Sequence, residues 1–408
     1  MREKSPQAGS KSGTALMARF VLGTWEGLTG ELEMSSQNLV KSLMLAGSLI
    51  AASLVPASAL ELRAASGAPP AHPATDPLYK TFAEATGAAE GADLTVRLFG
   101  VEVADIRGMV GALQSGVIDV GNVLTGYYVA DFPENSLVGD LATLGKNGQA
   151  MTGAVTEYTL TCGECMAEFD KMGLVYLGTS STSPVWLLTN KPVNSLADMK
   201  GLRLRTGPVP FMRWAEAMGA IPQTISVNEE YEAMSTGLMD GTIASASNLA
   251  SNRLYEVVKF IIPVPIGTSH SSSSFTFTKE TWQAMTPGQR EAARKAATLA
   301  MAGFEPAIRR QADEAVETAK GMGAQVLDVA ADLNEANLAY EATAVATGIE
   351  VGKTQYKIAD ADVKVQRFVD LVNKWNGLIT AEHDDPAKMA ALLEQEIWSK
   401  IDLEGLVE

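Results

Sequence analysis

Residues 190–257 read NKPVNSLADMKGLRLRTGPVPFMRWAEAMGAIPQTISVNEEYEAMSTGLMDGTIASASNLASNRLYEV, and this stretch decides the fold. Residues 201–205 alternate apolar and charged side chains, which is the period of a half-buried strand. The Gly-Pro pair that follows ends the strand, and residues 209–218 are predicted to form a helix. A short strand over residues 221–227 and a second helix, capped by Asn228, complete a strand-helix-strand-helix unit. This order of elements predicts an α/β sheet.

Arg205 is the last residue of the first strand predicted in this stretch. In an open α/β sheet the carboxyl ends of the strands face the crevice in which ligands bind, so its side chain is a candidate for ligand contact. A guanidinium group matches a carboxylate with two parallel hydrogen bonds, which would fix the orientation of an organic acid. The alternative is a structural salt bridge at the end of the strand, and spacing alone does not separate the two.

Four segments of the chain, KGLRLRTGP, AMGAIP, EEYEAMSTGLMDGTI and SNRLYEVVKF, occur in this order. They resemble the substrate-binding proteins of tripartite ATP-independent periplasmic (TRAP) transporters, the C4-dicarboxylate-binding family. The resemblance covers nearly all of the chain after residue 60. It implies a two-lobed periplasmic binding-protein fold, in which each lobe is a mostly parallel α/β sheet flanked by helices. It also implies that Arg205 binds the carboxylate of the ligand.

The composition limits the function classes open to this chain. Its 408 residues are enough for two domains, and 46% hydrophobic with 20% charged residues is ordinary for a globular protein. The formal net charge is −16. A nucleic-acid-binding protein needs a basic surface to meet phosphate groups, so we exclude nucleic acid as a partner.

An export signal is predicted near the start of the chain. Lys41 precedes an apolar run over residues 43–55, and Ala57-Ser58-Ala59 follows it. These are the parts of a Sec signal peptide, residues 34–59, which is cleaved after Ala59. The alternative is a transmembrane anchor, for which the apolar run is short and interrupted. Residues 1–33 are then a misassigned or disordered extension, and the mature protein is periplasmic without stable membrane insertion.

The first part of the mature chain predicts a β-α-β-α-β order over residues 60–123, with right-handed crossovers in a mostly parallel sheet. The loops after its strands should line one edge of the sheet, and they hold Ser66 and His72. The segment GYYVADFPEN resembles the loop in which the family places an aromatic residue over the ligand. Tyr127 is our candidate for that residue, with core packing as the alternative.

The second lobe departs from the family pattern at two places. Where many members have Glu-Asn-Pro after Gly-x-x-Asp-Gly, this chain has Ile-Ala-Ser over residues 243–245, so the amide contact is lost or moves to Ser245, Ser247 or Asn248. Where some acid-binding members have a second arginine, this chain has Val-Trp over residues 185–186. We therefore expect a monocarboxylate whose apolar body rests on aromatic side chains, namely Trp186, Phe211 or Trp214.

Cys162 and Cys165 are the two cysteines of the chain. In an exported protein a close pair of this kind favours a disulfide bond. A thiol-redox site would need a reactive thiolate at a helix N-terminus, whereas the pair is predicted to lie within one amphipathic helix over residues 155–172. A reduced or metal-bound pair is the remaining alternative, although a zinc site would need more ligands than the scattered histidines supply.

A long helix is predicted from Pro287 to about Lys320, with Thr286 as its N-cap. In the family such a helix spans both lobes. We assign residues 60–184 and 270–312 to lobe I, and residues 185–269 and 313–408 to lobe II.

The sequence contains no convincing arrangement of a nucleophile with a base, of paired carboxylates, of metal ligands or of a phosphate-binding loop. Glu229, Glu230 and Glu232 could act as general bases, but carboxylates at the start of a helix are ordinary partners of its dipole. We therefore predict a TRAP solute-binding protein, not an enzyme, that needs no cofactor. It captures an organic acid by hinge closure and delivers it to the membrane permease. The alternatives are a binding protein of an ABC-type system and a periplasmic enzyme, either a lyase on the same binding-protein scaffold or a CxxC redox protein.

Overall fold

The structure is a computed structural model, and it describes residues 59–207, 209–270 and 273–407. The predicted extension, residues 1–33, and the predicted signal peptide lie outside the described residues apart from Ala59. None of the helices in the described part of the chain has the length and apolar character needed to cross a membrane.

The strands form two sheets. In chain order they are β1 (Leu60–Ala65), β2 (Leu94–Phe99), β3 (Val120–Val123), β4 (Leu174–Tyr176), β5 (Trp186–Thr189), β6 (Arg203–Thr206), β7 (Ile221–Thr224), β8 (Gly241–Ala244), β9 (Phe260–Ile262), β10 (Ser273–Thr278) and β11 (Gln325–Val326). The first sheet has the order β2-β1-β3-β10-β4, and the second has the order β11-β9-β5-β8-β6-β7.

Each sheet is parallel apart from one strand. In the first sheet β10 runs antiparallel to β3 and β4, while β1 pairs in parallel with β2 and β3. In the second sheet β5 runs antiparallel to β8 and β9, and the other pairings are parallel. The prediction of two mostly parallel α/β sheets is therefore confirmed.

Helices cover the sheets. In chain order they are α1 (Lys80–Gly87), α2 (Met109–Gln114), α3 (Pro133–Gly139), α4 (Gly148–Leu160), α5 (Gly163–Lys171), α6 (Val209–Ala217), α7 (Glu230–Ser235), α8 (Asn248–Ser251), α9 (Lys279–Ala284), α10 (Pro287–Gly321), α11 (Ala331–Ala342), α12 (Ala344–Thr354), α13 (Ala361–Leu378) and α14 (Pro386–Glu396). Helix α10 is the predicted long helix, and Thr286 caps it: its hydroxyl accepts the N–H of Gln289, whose side chain accepts the N–H of Thr286.

The stretch that opens the sequence analysis forms β6, α6, β7 and α7 in the predicted order. The predicted cap of α7 is wrong. A short 3₁₀ turn, Val227–Glu229, precedes α7, and the hydroxyl of Ser226 accepts the N–H of Asn228 at 3.4 Å. Asn228 lies within this turn and not at the start of α7, so its side chain does not cap that helix.

The C-terminal helices pack on the first sheet. Phe368 and Trp375 of α13, together with Met389 and Leu393 of α14, are fully buried in the same apolar core as β1, β3 and β10. Residues 313–408 were predicted to belong to lobe II, whereas α13 and α14 pack on the first sheet. The amphipathic pattern of a helix shows which face is buried but does not show which sheet that face meets.

Candidate functional site

A cavity of about 140 Å³ lies between the two sheets. A cavity of about this size can hold a molecule as large as benzene. Its apolar wall consists of Ala74, Leu78, Ile106, Leu124, Val185, Phe211, Val227, Ile243, Ala244 and Phe304. The polar lining residues come from both sheets and from the loops that follow their strands, and the exposed surface of the cavity is mostly apolar, as is usual for a small-molecule site.

Arg205 of β6 lines the cavity and is only 5% exposed. Its Nε donates to the carbonyl of Ile225 at 2.9 Å, and its Nη1 donates to the Oε1 of Glu230 at 3.1 Å. Arg203 lies two residues before Arg205, about 7 Å away along the strand, and its side chain points to the same face because every second residue of a strand does so. Arg203 pairs through Nε and Nη2 with the carboxylate of Asp240, away from the cavity wall. The two arginines of β6 thus have different partners.

Glu230 was predicted only to be a partner of the helix dipole. Its side chain is 0% exposed, and it forms a salt bridge with Arg205. Oε1 also accepts the hydroxyl of Thr242 at 2.6 Å, and Oε2 accepts the amides of Asn248 and Asn252 at 2.9 and 2.7 Å. A sequence signal for this burial exists: residues 230, 233 and 234 share one helix face, and Ala233 and Met234 are apolar.

His72 lies in the part of the cavity wall that follows β1. Its Nδ1 accepts the N–H of Ala74 at 3.2 Å, so the neutral ring carries its proton on Nε2. Burial lowers the pKa of His72 to about 4, while the charge of Glu230 raises it and that of Arg205 lowers it. The ring is therefore neutral at pH 7, and its Nε2–H can serve as a hydrogen-bond donor.

Four more of the predicted residues line the cavity, namely Tyr127, Phe211, Ser245 and Asn248. The guanidinium of Arg107, an exposed residue, lies 4.5 Å from the centre of the Tyr127 ring. Ser245 accepts the hydroxyl of Ser247 at 2.9 Å. Together with His72 and Arg205, six of the predicted residues therefore line the cavity.

Three predicted residues do not line the cavity. Ser66 is buried in its own loop, where its hydroxyl bonds to Thr75 and accepts the N–H of Ala68. Trp186 packs at the edge of a core of the second sheet, because neighbouring residues in an extended chain point to opposite sides and Val185 takes the cavity side. Trp214 lies one helical turn beyond Phe211, fully buried, and donates its Nε1–H to Asn337 at 2.8 Å.

Other cavity residues were missed by the sequence analysis. Asn122 lies in β3, and Ser180 and Ser274 bond to each other at 2.8 Å where the chain enters and leaves the first sheet. Phe304 comes from α10. Asn122 could have been predicted as a cavity residue, because β3 directly precedes the loop that holds Tyr127.

Cys162 and Cys165 form a disulfide bond, as predicted, and both are buried. The predicted single helix around them is wrong. Two separate helices, α4 and α5, replace the predicted one, and Cys162 is the N-cap of α5. Within the described ranges, no group of three or more His, Cys, Asp or Glu residues could hold a metal ion.

Comparison with known proteins places these features in a family. The family model for bacterial extracellular solute-binding proteins, family 7 (DctP), matches residues 64–343. The sialic acid-binding periplasmic protein SiaP of Vibrio cholerae is 27% identical over 154 residues, which are 37% of this chain and 45% of that protein. The chain spans less than half the length of the curated relatives it matches.

Two solved structures share the fold. A TRAP solute-binding protein from Rhodoferax ferrireducens, in complex with copurified benzoate, superposes with a TM-score of 0.70 at 18% identity, over 78% of this chain and 99% of that chain. An extracytoplasmic solute receptor from Bordetella pertussis that binds pyroglutamic acid gives a TM-score of 0.65 at 22% identity, over 77% and 100% of the two chains.

Proposed function

Because the chain belongs to the bacterial extracellular solute-binding protein family 7 (DctP), we propose that it captures an organic acid between its two sheets and delivers it to the permease of a TRAP transporter. The family predicted from the sequence is confirmed. It is a family of solute-binding proteins, not of enzymes, and the site needs no reacting group. The comparison structures are themselves TRAP solute-binding proteins or extracytoplasmic receptors that bind acids.

The observation that carries the proposal is the buried guanidinium of Arg205 in a largely apolar wall. A carboxylate that replaces its hydration shell with this guanidinium gains a charge-assisted bond, whereas an uncharged molecule gains none. His72 and Tyr127 from the first sheet, with Asn248 from the second, add hydrogen-bonding groups around it. These groups would set the orientation of the ligand, and Phe211 and Ser245 would complete the contact surface.

The ligand that fits this wall is a small monocarboxylate with an apolar or aromatic body. Among the described residues that line the cavity, Arg205 is the sole lysine or arginine, so a second carboxylate would have no cation to meet. Phe211, Leu124 and Phe304 provide the apolar surface for the body. The bound benzoate and pyroglutamate of the comparison structures are acids of this size class.

Capture would proceed by hinge closure. The two sheets, each with the helices that pack on it, would move about the chain segments before β5 and β10, and the closed form would be favoured because only it encloses the ligand. The closed form would then dock on the permease. Export by a signal peptide over residues 34–59, with cleavage after Ala59, would place the mature protein in the periplasm.

A paired substitution tests the role of Arg205. Arg205→Gln alone would leave Glu230 buried without its cation, which destabilises a protein by several kcal/mol, about 3–5. We therefore combine Arg205→Gln with Glu230→Gln, which removes both charges and leaves neither one buried alone. Isothermal titration calorimetry with benzoate and pyroglutamate should show a loss of affinity of roughly 100-fold, because a buried charged contact is worth about 2–5 kcal/mol.

Arg203→Gln is the matched control, since it removes the same charge from the same strand face outside the cavity. Its affinity for both acids should stay within about twofold of the wild type, because exposed charges are screened. Unchanged affinity in the paired variant would reject Arg205 as the carboxylate-binding residue. A wild-type protein that bound no acid from a panel of monocarboxylates would reject the function itself.

A further inference from the structure

Glu230 is a fully buried carboxylate beside the cavity, and the proposed function assigns it no role. It forms a salt bridge with Arg205 at 3.1 Å, and the two side chains are 0% and 6% exposed. The positive charge of Arg205 is therefore already balanced inside the protein. A ligand that binds to Arg205 meets an ion pair, not an isolated cation.

The surroundings of Glu230 suit an ionised carboxylate. Its oxygens accept hydrogen bonds from Arg205, Thr242, Asn248 and Asn252, and each of these partners is a donor. A carboxylate accepts hydrogen bonds at both oxygens and donates none, so this arrangement matches it. Asn248 lines the cavity as well, and it therefore connects Glu230 to the ligand space.

The cavity contains no further positive charge from the described residues. The low pKa of His72, about 4, leaves that ring neutral at pH 7. Arg107 lies over the Tyr127 ring, but it is exposed and does not line the cavity. The formal charge of the enclosed site is therefore zero before binding, −1 with a bound monoanion and −2 with a bound dianion.

We propose that Glu230 restricts this cavity to monoanions. The second carboxylate of a dicarboxylate would lose its hydration without gaining a cation, and Glu230 would repel it through a medium that screens charge poorly. This repulsive element gives the specificity, while Arg205 gives the attraction. The inference rests on the proposed function, which already favours a monocarboxylate, and it adds Glu230 as the residue that rejects dianions.

The test compares two ligands of matched size, succinate and monomethyl succinate, on the wild type and on Glu230→Gln. The wild type should bind the monoester more tightly than the dianion. In Glu230→Gln the ratio of the two dissociation constants should shrink by about tenfold, because one negative charge near the second carboxylate is removed. A role limited to positioning Arg205 would change both affinities together and leave the ratio unchanged.

Glu229→Gln is the control, because it removes a carboxylate one residue away at an exposed position, and its ratio should equal that of the wild type. If Glu230→Gln fails to fold, Glu230→Ser replaces it, since its smaller side chain admits water to the guanidinium. An unchanged ratio in a variant that still binds the monoester would overturn the inference and leave the proposed function standing. Failure of the wild type to bind any monocarboxylate would overturn both.

Discussion

At the scale of single residues, the site depends on how buried charges are paired. Arg205 and Glu230 are both withdrawn from water, and each would be costly to bury alone. Glu230 also receives three neutral donors, which fixes its position, and through it the plane of the guanidinium. Side chains that are fixed before binding lose less conformational freedom when the ligand arrives. The ion pair thus prepares the binding geometry as well as balancing the charge.

His270 gives a prediction for the dependence of stability on pH. It is 1% exposed, its Nε2 donates to the carbonyl of Val138, and its Nδ1 accepts from the hydroxyl of Thr268. Burial lowers its pKa to about 4. The unfolded chain, with a pKa of about 6.5, therefore binds more protons between these values, and the free energy of unfolding should fall as the pH drops. From pH 7 to pH 5 the loss from this residue should be about 2 kcal/mol.

Urea unfolding of the wild type and of His270→Gln at pH 7 and pH 5 measures this effect. The variant should be less stable at pH 7, since its side chain replaces only part of the hydrogen bonding. Its stability should change less between the two pH values, because the group that titrates is gone. Other titrating groups contribute equally to both proteins, so equal pH dependence would contradict the assignment.

The position of a side chain could be predicted from the sequence where its local element determines its direction. The placement of Arg205 in the cavity wall was predicted from the alternation of residues 201–205 and from its position at the end of the strand. Trp186 and Trp214 were chosen because they are aromatic, yet the first faces a core and the second lies a full turn too deep. Glu230 was overlooked because its partners, Thr242 and Asn252, are distant in sequence and meet it only after folding.

At the scale of elements, α10 gives a prediction that follows from its N-cap. The hydroxyl of Thr286 satisfies one of the unpaired N–H groups at the helix start. Thr286→Ala should lower the free energy of unfolding by about 1 kcal/mol in urea titration. Thr318→Ala is the matched control near the other end, where the exposed hydroxyl bonds only to the carbonyl of Glu314. It should be neutral or slightly stabilising, and equal losses would argue against the cap.

Elements with strong local signals could be predicted, and elements defined by distant contacts could not. Thr286 as N-cap and the proline at the first helical position identify α10 from the sequence. The break between α4 and α5 was missed, since apolar spacing continues across Thr161 and the local residues include no glycine–proline stop. The packing of α13 and α14 on the first sheet could not be predicted from their local sequence either, because the same apolar face would fit either sheet.

At the scale of the whole molecule, the two sheets meet at the cavity through loops that face each other. Gly67 follows β1 with a φ of +72°, and a Cβ there would come within 2.8 Å of the backbone of Ile106. Only glycine fits this turn without strain. The turn presents the carbonyl of Gly67 to the second sheet, where Asn228 donates to it at 3.2 Å. This hydrogen bond joins the two sides of the cavity directly.

Because this bond exists only while the two loops are in contact, its removal should weaken ligand binding rather than the stability of either sheet. Asn228→Ala removes one hydrogen bond from the closed form, which is worth about 1 kcal/mol, so the apparent dissociation constant for benzoate should rise about fivefold. Calorimetry measures the affinity, and thermal unfolding of the ligand-free protein should show little change. Glu229→Ala, in the same turn but exposed, should bind as the wild type does. If Asn228→Ala kept its affinity, the contact between the loops would add nothing to closure, and the apolar wall and Arg205 alone would have to favour the closed form.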